Sequence, residues 1–214
     1  MKRFLPFVIV IAVALITVGG GYALYRSKLS GPTATSGVAG GIHVRGNAKA
    51  AVTIEEFGDF QCPPCGTMSG VLHKLNEEYG TRLRLIFHNF PLAAHVHARE
   101  AAIAAEAAHE QGKFWEMHDV LYKEQALWSK ATDVPALFEG YASSIGLDLD
   151  RFKKDVANPK VAERVDTDQK LGSSRGVTST PTLFVNNATL PAADINPAGV
   201  KKAIESALNP VPTK

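Results

Sequence analysis

Apolar and polar positions alternate in short stretches of this chain and recur at helical spacing through most of the rest. Ala51–Phe57 (AVTIEEF) puts Val52, Ile54 and Glu56 on one face by period two, which predicts a strand. Pro63 to Tyr79 predicts a helix, with Val71, Leu72 and Leu75 on its apolar side and Gly80 ending it. Arg82–Phe87 (RLRLIF) alternates as a second strand. Ala98–Gln111 is rich in alanine and stops at Gly112, a helix pattern. Phe114, Met117, Leu121 and Trp128 then form one helical stripe. Leu137, Phe138, Tyr141 and Ile145 form another, closed by Gly146. Both stripes read as core-facing sides of amphipathic helices. Asn158 caps and Pro159 opens a further helix, expected to run to about Leu171. Thr182–Val185 is strand-like, Asn186–Asn187 turns into a short Ala188–Leu190, and Pro197–Leu208 closes as a helix. The predicted order is strand, helix, strand, several helices, strand, strand, helix.

The N-terminus departs from this pattern. Phe4 to Leu24 carries no charge between Lys2–Arg3 and Arg26. About 20 apolar residues cross a bilayer as a helix, whereas a signal-peptide core takes about 7–15. The whole stretch fits an uncleaved anchor. Its most apolar part, Phe4–Val18, also fits a cleaved signal, with Gly19 and Gly21 as small residues before the cut. Basic residues at both flanks barely decide orientation, and the start amine tips it toward an inside N-terminus. Either fate puts the remaining chain outside the cytoplasm, where disulfides form and persist. Ser30–Gly41 (SGPTATSGVAGG) reads as a flexible tether. The expected organisation is anchor or signal over 1–29, linker over 30–43, a folded domain over 44–208 and a tail over 209–214.

Composition narrows the class. The chain has 214 residues, 45% of them hydrophobic and 21% charged, so the stretch beyond the N-terminal segment suits one globular domain. Without Lys2, Arg3, Arg26 and Lys28, the 23 basic residues fall to 19 against 21 acidic ones, a net −2. No basic run remains, which excludes the electrostatic footprint of a nucleic-acid binder. The two cysteines, Cys62 and Cys65, are three positions apart. A bridge between them closes a tiny loop and gains little from loop entropy, so a reactive pair is the better reading than a structural staple.

The pattern puts Cys62 at a strand-to-helix junction. The first turn of a helix offers unpaired N–H groups and the positive end of the dipole, which stabilise a thiolate. Pro63 suits the first helical position because its missing N–H had no intrahelical partner. Cys62 at an exposed tip is the expected nucleophile, and Cys65, one turn further in, the resolving thiol. Half of a zinc site is the rival reading. Structural zinc needs four ligands, and His88, His95 and His97 reach the pair only through long-range folding. His95 and His97 read as solvated or capping residues. No metal and no cofactor is expected.

The segment from Val52 to Cys65 (VTIEEFGDFQCPPC) resembles the active-site strand and helix of DsbA-like proteins of the thioredoxin superfamily. His88–Leu92 (HNFPL), Gly112–His118 (GKFWEMH) and Gly176–Asn186 (GVTSTPTLFVN) resemble later landmarks of that family, in the right order, so the likeness covers about Val44 to Leu208. It implies an α/β thioredoxin fold with a helical insertion at about 95–158. It also implies that Cys62 and Cys65 are the redox pair and that Pro181 is the cis-proline facing them. The backbone of Thr180 would then pair with an extended substrate. Glu56 falls where the family often keeps a buried acid, whose role would be to accept the Cys65 proton. The residues alone leave a solvated strand-end acid open, since period two is ambiguous on a buried strand, and Glu55 stands beside it. One departure is Pro64, where the best-known oxidase of the family has a histidine. That implies a less depressed Cys62 pKa and a milder oxidant.

The resemblance implies an oxidase that introduces disulfides into exported proteins. A disulfide reductase or isomerase, or a metal-binding chaperone module, stands as the alternative. Isomerases of the superfamily usually dimerise through an added domain, and none is visible between the tether and the first strand, which disfavours the isomerase reading. A monomer is expected. The expected partners are unfolded or partly folded exported polypeptides, a membrane protein that recycles the pair, and the membrane itself through the N-terminal segment. Nucleic acid is not among them.

Overall fold

The computed structural model describes residues 43–210. The anchor or signal, nearly all of the linker and the last four residues of the tail lie outside the described residues. None of the helices described is long and apolar enough to cross a membrane.

Five strands form one mixed sheet: β1 (His43–Gly46), β2 (Val52–Gly58), β3 (Leu83–Asn89), β4 (Thr182–Val185) and β5 (Ala188–Thr189). Their order across the sheet is β1-β3-β2-β4-β5. β2 and β3 run parallel, Val52 opposite Leu83 through Gly58 opposite Asn89. The other neighbours are antiparallel. The parallel pair is joined by α1 (Pro63–Tyr79), as a parallel connection requires. Six helices separate β3 from β4: α2 (Ala98–His109), α3 (Phe114–Lys123), α4 (Gln125–Trp128), α5 (Val134–Ser144), α6 (Leu149–Val156) and α7 (Pro159–Ser174). α8 (Pro197–Leu208) closes the chain.

Central β2 is buried along its whole length. Its pleat sends Val52 and Ile54 into a core with Leu72 and Leu75 of α1, Leu183 of β4, and Val200 and Ile204 of α8. On the other side Phe57 meets Phe90, Val177 and Phe184. The insertion has its own apolar centre around Met117, Leu121, Trp128 and Phe138, continuous with Phe60, Phe87 and both cysteines. The two aromatic stripes predicted on helices are therefore core, as expected.

The predicted elements fall close to the observed ones, and Pro63–Tyr79, Thr182–Val185 and Pro197–Leu208 coincide with α1, β4 and α8. Two elements have no counterpart in the expectation. β1 is four residues, HVRG, too short and polar to alternate visibly; its place is fixed by pairing with β3 and by buried His43 bonding Glu106 of α2 at 2.6 Å. α6 is eight residues with five charges and one fully buried side chain, Phe152, with Leu149 only partly buried beside it, so its apolar stripe is too short to stand out. Asp148 caps it by accepting from the Arg151 N–H at 2.9 Å.

Candidate active site

β2 ends at Gly58 and α1 begins at Pro63, so the positions between them form a tight turn against the end of the sheet. Asp59 organises it. Its backbone carbonyl accepts from the Cys62 N–H at 3.0 Å, and its buried carboxylate accepts from the N–H groups of Gln61 (2.7 Å) and Leu92 (2.9 Å) and from His95 Nδ1 (2.7 Å). Gln125, on α4, donates from Nε2 to the carbonyls of Phe60 at 2.6 Å and Cys62 at 3.0 Å. The turn is thus held by its own aspartate and by the insertion.

Cys62 is the N-cap of α1, with Pro63 and Pro64 as the first helical residues. Both thiols are free. Cys62 is only 5% exposed, which corrects the expectation of an open tip: its Sγ lies 3.4 Å from the Thr180 carbonyl, under the loop leading into β4. Cys65 is fully buried. The Thr180–Pro181 peptide bond is cis. An open groove of about 700 Å³ runs beside this contact, lined by Pro63, Thr67, Met68, Thr180, Pro181 and Ile195 among others.

The environment drives the two thiols apart. Cys62 is lowered to about 6, chiefly by the hydrogen bond from the Cys65 thiol, with help from the Thr180 side chain and the Cys65 N–H, against burial and the nearby Asp59 charge. The two prolines have no N–H, so the helix terminus presents fewer donors to this sulfur than an ordinary first turn. Cys65 is pushed up by burial, by Cys62 and by Glu56. At neutral pH the outer sulfur is therefore a thiolate and the inner one a thiol, the division needed for sequential exchange.

Glu55 and Glu56 are both buried, on opposite faces of β2, and their surroundings treat them oppositely. Burial opposes ionisation of Glu55, but His88 and Arg175 outweigh it and its pKa is lowered; Arg175 Nη1 lies 2.7 Å from its carboxylate. Glu56 has no such partner among the described residues. Burial, then the Cys62 charge, raises it to about 8. The solvated strand-end reading of Glu56 is set aside: the residue is 3% exposed. His97 occupies the N-cap of α2, but its ring makes no cap; it lies 3.0 Å from Glu100, while its N–H donates to Gln61 Oε1 at 2.7 Å. His95 is committed to Asp59, and no cluster of three metal-ligating side chains occurs among the described residues. Asp59 and Gln125 were missed as site residues. Asp59 lies inside the quoted motif, while Gln125, 60 positions beyond Cys65, carried no local signal.

A family model described as thioredoxin matches residues 39–206. The chain belongs to the thioredoxin family. Solved structures of a thioredoxin-like oxidoreductase and of DsbA proteins are similar to it. Oxidised BdbD from Bacillus subtilis is similar at 26% identity and a TM-score of 0.68, over 77% of this chain and 91% of that one. A thioredoxin-like oxidoreductase from Silicibacter pomeroyi DSS-3 is similar at 25% identity and 0.67, over 79% and 93%. Wolbachia pipientis alpha-DsbA1, at 19% identity and 0.64 over 77% and 89%, shares the fold. Among curated proteins, Na(+)/H(+) antiporter NhaA 1 of Salinispora arenicola is 42% identical over 145 residues, 67% of this chain. The chain spans about a fifth of the length of that relative.

Proposed function

We propose that this protein is an extracytoplasmic disulfide oxidase, introducing disulfides into exported polypeptides through Cys62 and Cys65. The observation that carries the reading is the opposed ionisation of the pair beside an open groove. A stabilised outer thiolate favours the reduced enzyme, which makes the disulfide form an acceptor of electrons from substrate dithiols.

A substrate thiolate attacks Cys62 Sγ of the enzyme disulfide. The Cys62–Cys65 bond breaks, and Cys65 leaves as a thiolate that takes the proton of Glu56. A second substrate thiolate then attacks the substrate sulfur, releasing Cys62 as its stable thiolate and the substrate as a disulfide. The backbone at Thr180, against Pro181, aligns the extended substrate, and the groove beside them takes its flanking side chains. A membrane redox partner restores the Cys62–Cys65 bond by the reverse steps.

Two measurements test this. Cys62→Ser should abolish oxidation of a reduced, unfolded client; retained turnover would remove the reading. Equilibration of the pair against glutathione decides direction. A potential well above about −270 mV, the thioredoxin value, supports an oxidase, and one at or below it supports a reductase.

A further inference from the structure

The mechanism gives Glu56 one proton to release and recover in each cycle, yet Glu56 is 3% exposed. Its Oε1 has no hydrogen-bond partner among the described residues. A small cavity lies beside it, with room of about 10 Å³, bounded by Ile54, Leu72, Leu85 and Phe87 and by the polar residues Arg45, Ser69, His73 and His118. That is close to the space of a single water molecule.

His118 of α3 is the one polar side chain of that lining that matches Glu56 in burial. It is 3% exposed and enclosed by Phe60, Phe87, Trp115 and Tyr122, with ring centroids 4.8–5.6 Å away. Its Nδ1 lies 2.8 Å from Asp119 Oδ1. Asp119 is ionised, held down at about 2: burial opposes this, but hydrogen bonds from His118 and Arg45 prevail. A carboxylate there fixes the proton on Nδ1 and leaves Nε2 as an acceptor. That Nε2 also has no partner among the described residues. Two residues that each carry a buried, unpartnered polar atom, one an acid and one a base, therefore line the same water-sized space. Beyond the imidazole stands Asp119, whose side chain is 46% exposed and receives Arg45 Nη2 at 2.6 Å.

We propose that His118 is the proton exit of the active site, joined to Glu56 through one water in this cavity and to solvent through Asp119. The inference rests on the reading of Glu56 as the acceptor of the Cys65 proton. During reoxidation the Cys62 thiolate attacks a disulfide of the oxidant, one oxidant sulfur leaves as thiolate, and a mixed disulfide forms. Glu56, held at about 8 by burial, carries a proton at neutral pH and must shed it before it can accept another. That proton passes to the cavity water, which gives one of its own to Nε2, while Nδ1 sheds its proton toward Asp119 and solvent. The Cys65 thiol then gives its proton to the ionised Glu56. The Cys65 thiolate attacks Cys62 Sγ, the second oxidant thiolate departs, and two electrons have passed to the oxidant. Glu56 ends protonated, ready to protonate Cys65 in the next oxidation of substrate, after which the same path returns a proton to it from solvent. The charged or titratable groups facing His118 are Asp119 and Tyr122 of α3, Arg45 and His43 of β1, Glu56 of β2 and His73 of α1. Burial, ahead of the Asp119 contact, lowers His118, so the imidazole passes protons on rather than storing them. Tyr122 is raised well above its ordinary value by burial and stays neutral.

The test uses the reduced full-length protein and oxidised glutathione, following mixed-disulfide formation and its resolution separately by rapid quench. His118→Gln should slow resolution by about a hundredfold, the low end for loss of a proton-transfer group, with capture of glutathione by Cys62 unchanged. Glu56→Gln should slow the same step, and the double variant should be no slower than Glu56→Gln alone, because both act on one path. Asp119→Asn, at a half-exposed position, should slow resolution with the same non-additivity, and it carries the test if His118→Gln fails to fold. Resolution at the normal rate in Asp119→Asn, or in folded His118→Gln, overturns the relay and leaves the role of Glu56 standing. Losses that multiply in the double variant do the same. Normal resolution in Glu56→Gln instead removes the Glu56 reading, and the relay with it.

Discussion

Replacing Glu56 by glutamine should stabilise the folded protein, and by an amount that grows with pH. Glu56 is held at about 8 against an ordinary 4.5, mainly by burial. Between those values the folded chain keeps a proton that the unfolded chain has lost, so stability falls as pH rises through this window. Each pH unit is worth about 1.4 kcal/mol, which makes the penalty about 3 kcal/mol at pH 7 and about 5 kcal/mol above pH 8. Glutamine is neutral throughout and nearly the same size, so it carries no such penalty. The other titrating groups, among them Glu55, His88 and Glu106, are common to both proteins and cancel in the difference. Urea unfolding of the two reduced proteins at pH 4.5, 6, 7 and 8 measures it. The curves should nearly coincide at the lowest pH and separate steadily above it, the variant being more stable. A separation that is the same at every pH would show that Glu56 carries no raised pKa and would refute the reasoning.

The remaining predictions concern the pair and its supports. Pro64→His should lower the Cys62 midpoint by about one unit and raise the reduction potential by up to about 30 mV, less whatever solvent screening removes; thiolate absorbance against pH and a glutathione titration read both. Arg175→Met leaves the buried Glu55 carboxylate with His88 as its remaining partner, and should cost about 3 kcal/mol in urea unfolding at pH 7. Gly58→Ala would place a methyl 2.5 Å from the Phe87 ring and 3.0 Å from Tyr122 Oη, so a loss of about 1–3 kcal/mol and a lower Tm are expected.

The strand-helix-strand frame was legible because its signals are local. Alternation marks β2 and β3, Pro63 opens α1, and Gly80 closes it. The redox pair was legible for the same reason, since Cys62 and Cys65 sit inside one motif. What escaped depends on partners far along the chain. β1 is fixed by β3 and by Glu106, 63 positions from His43. The opposite fates of Glu55 and Glu56 turn on His88 and on Arg175, the latter 120 positions from Glu55, which no periodicity reports. The exposure of Cys62 was misjudged because the covering Thr180 lies 118 positions away.

The side-chain amide of Gln125 spans from α4 to two carbonyls of the cysteine-bearing turn. A miniature made by excising the helical segment between β3 and β4 would keep both sulfurs yet surrender those carbonyls to water. The turn would be free to wander, and the thiols would lose their fixed distance. In this protein the insertion is part of the reagent rather than a lid laid over it, and protein engineers who shorten it should expect to lose rate before they lose fold.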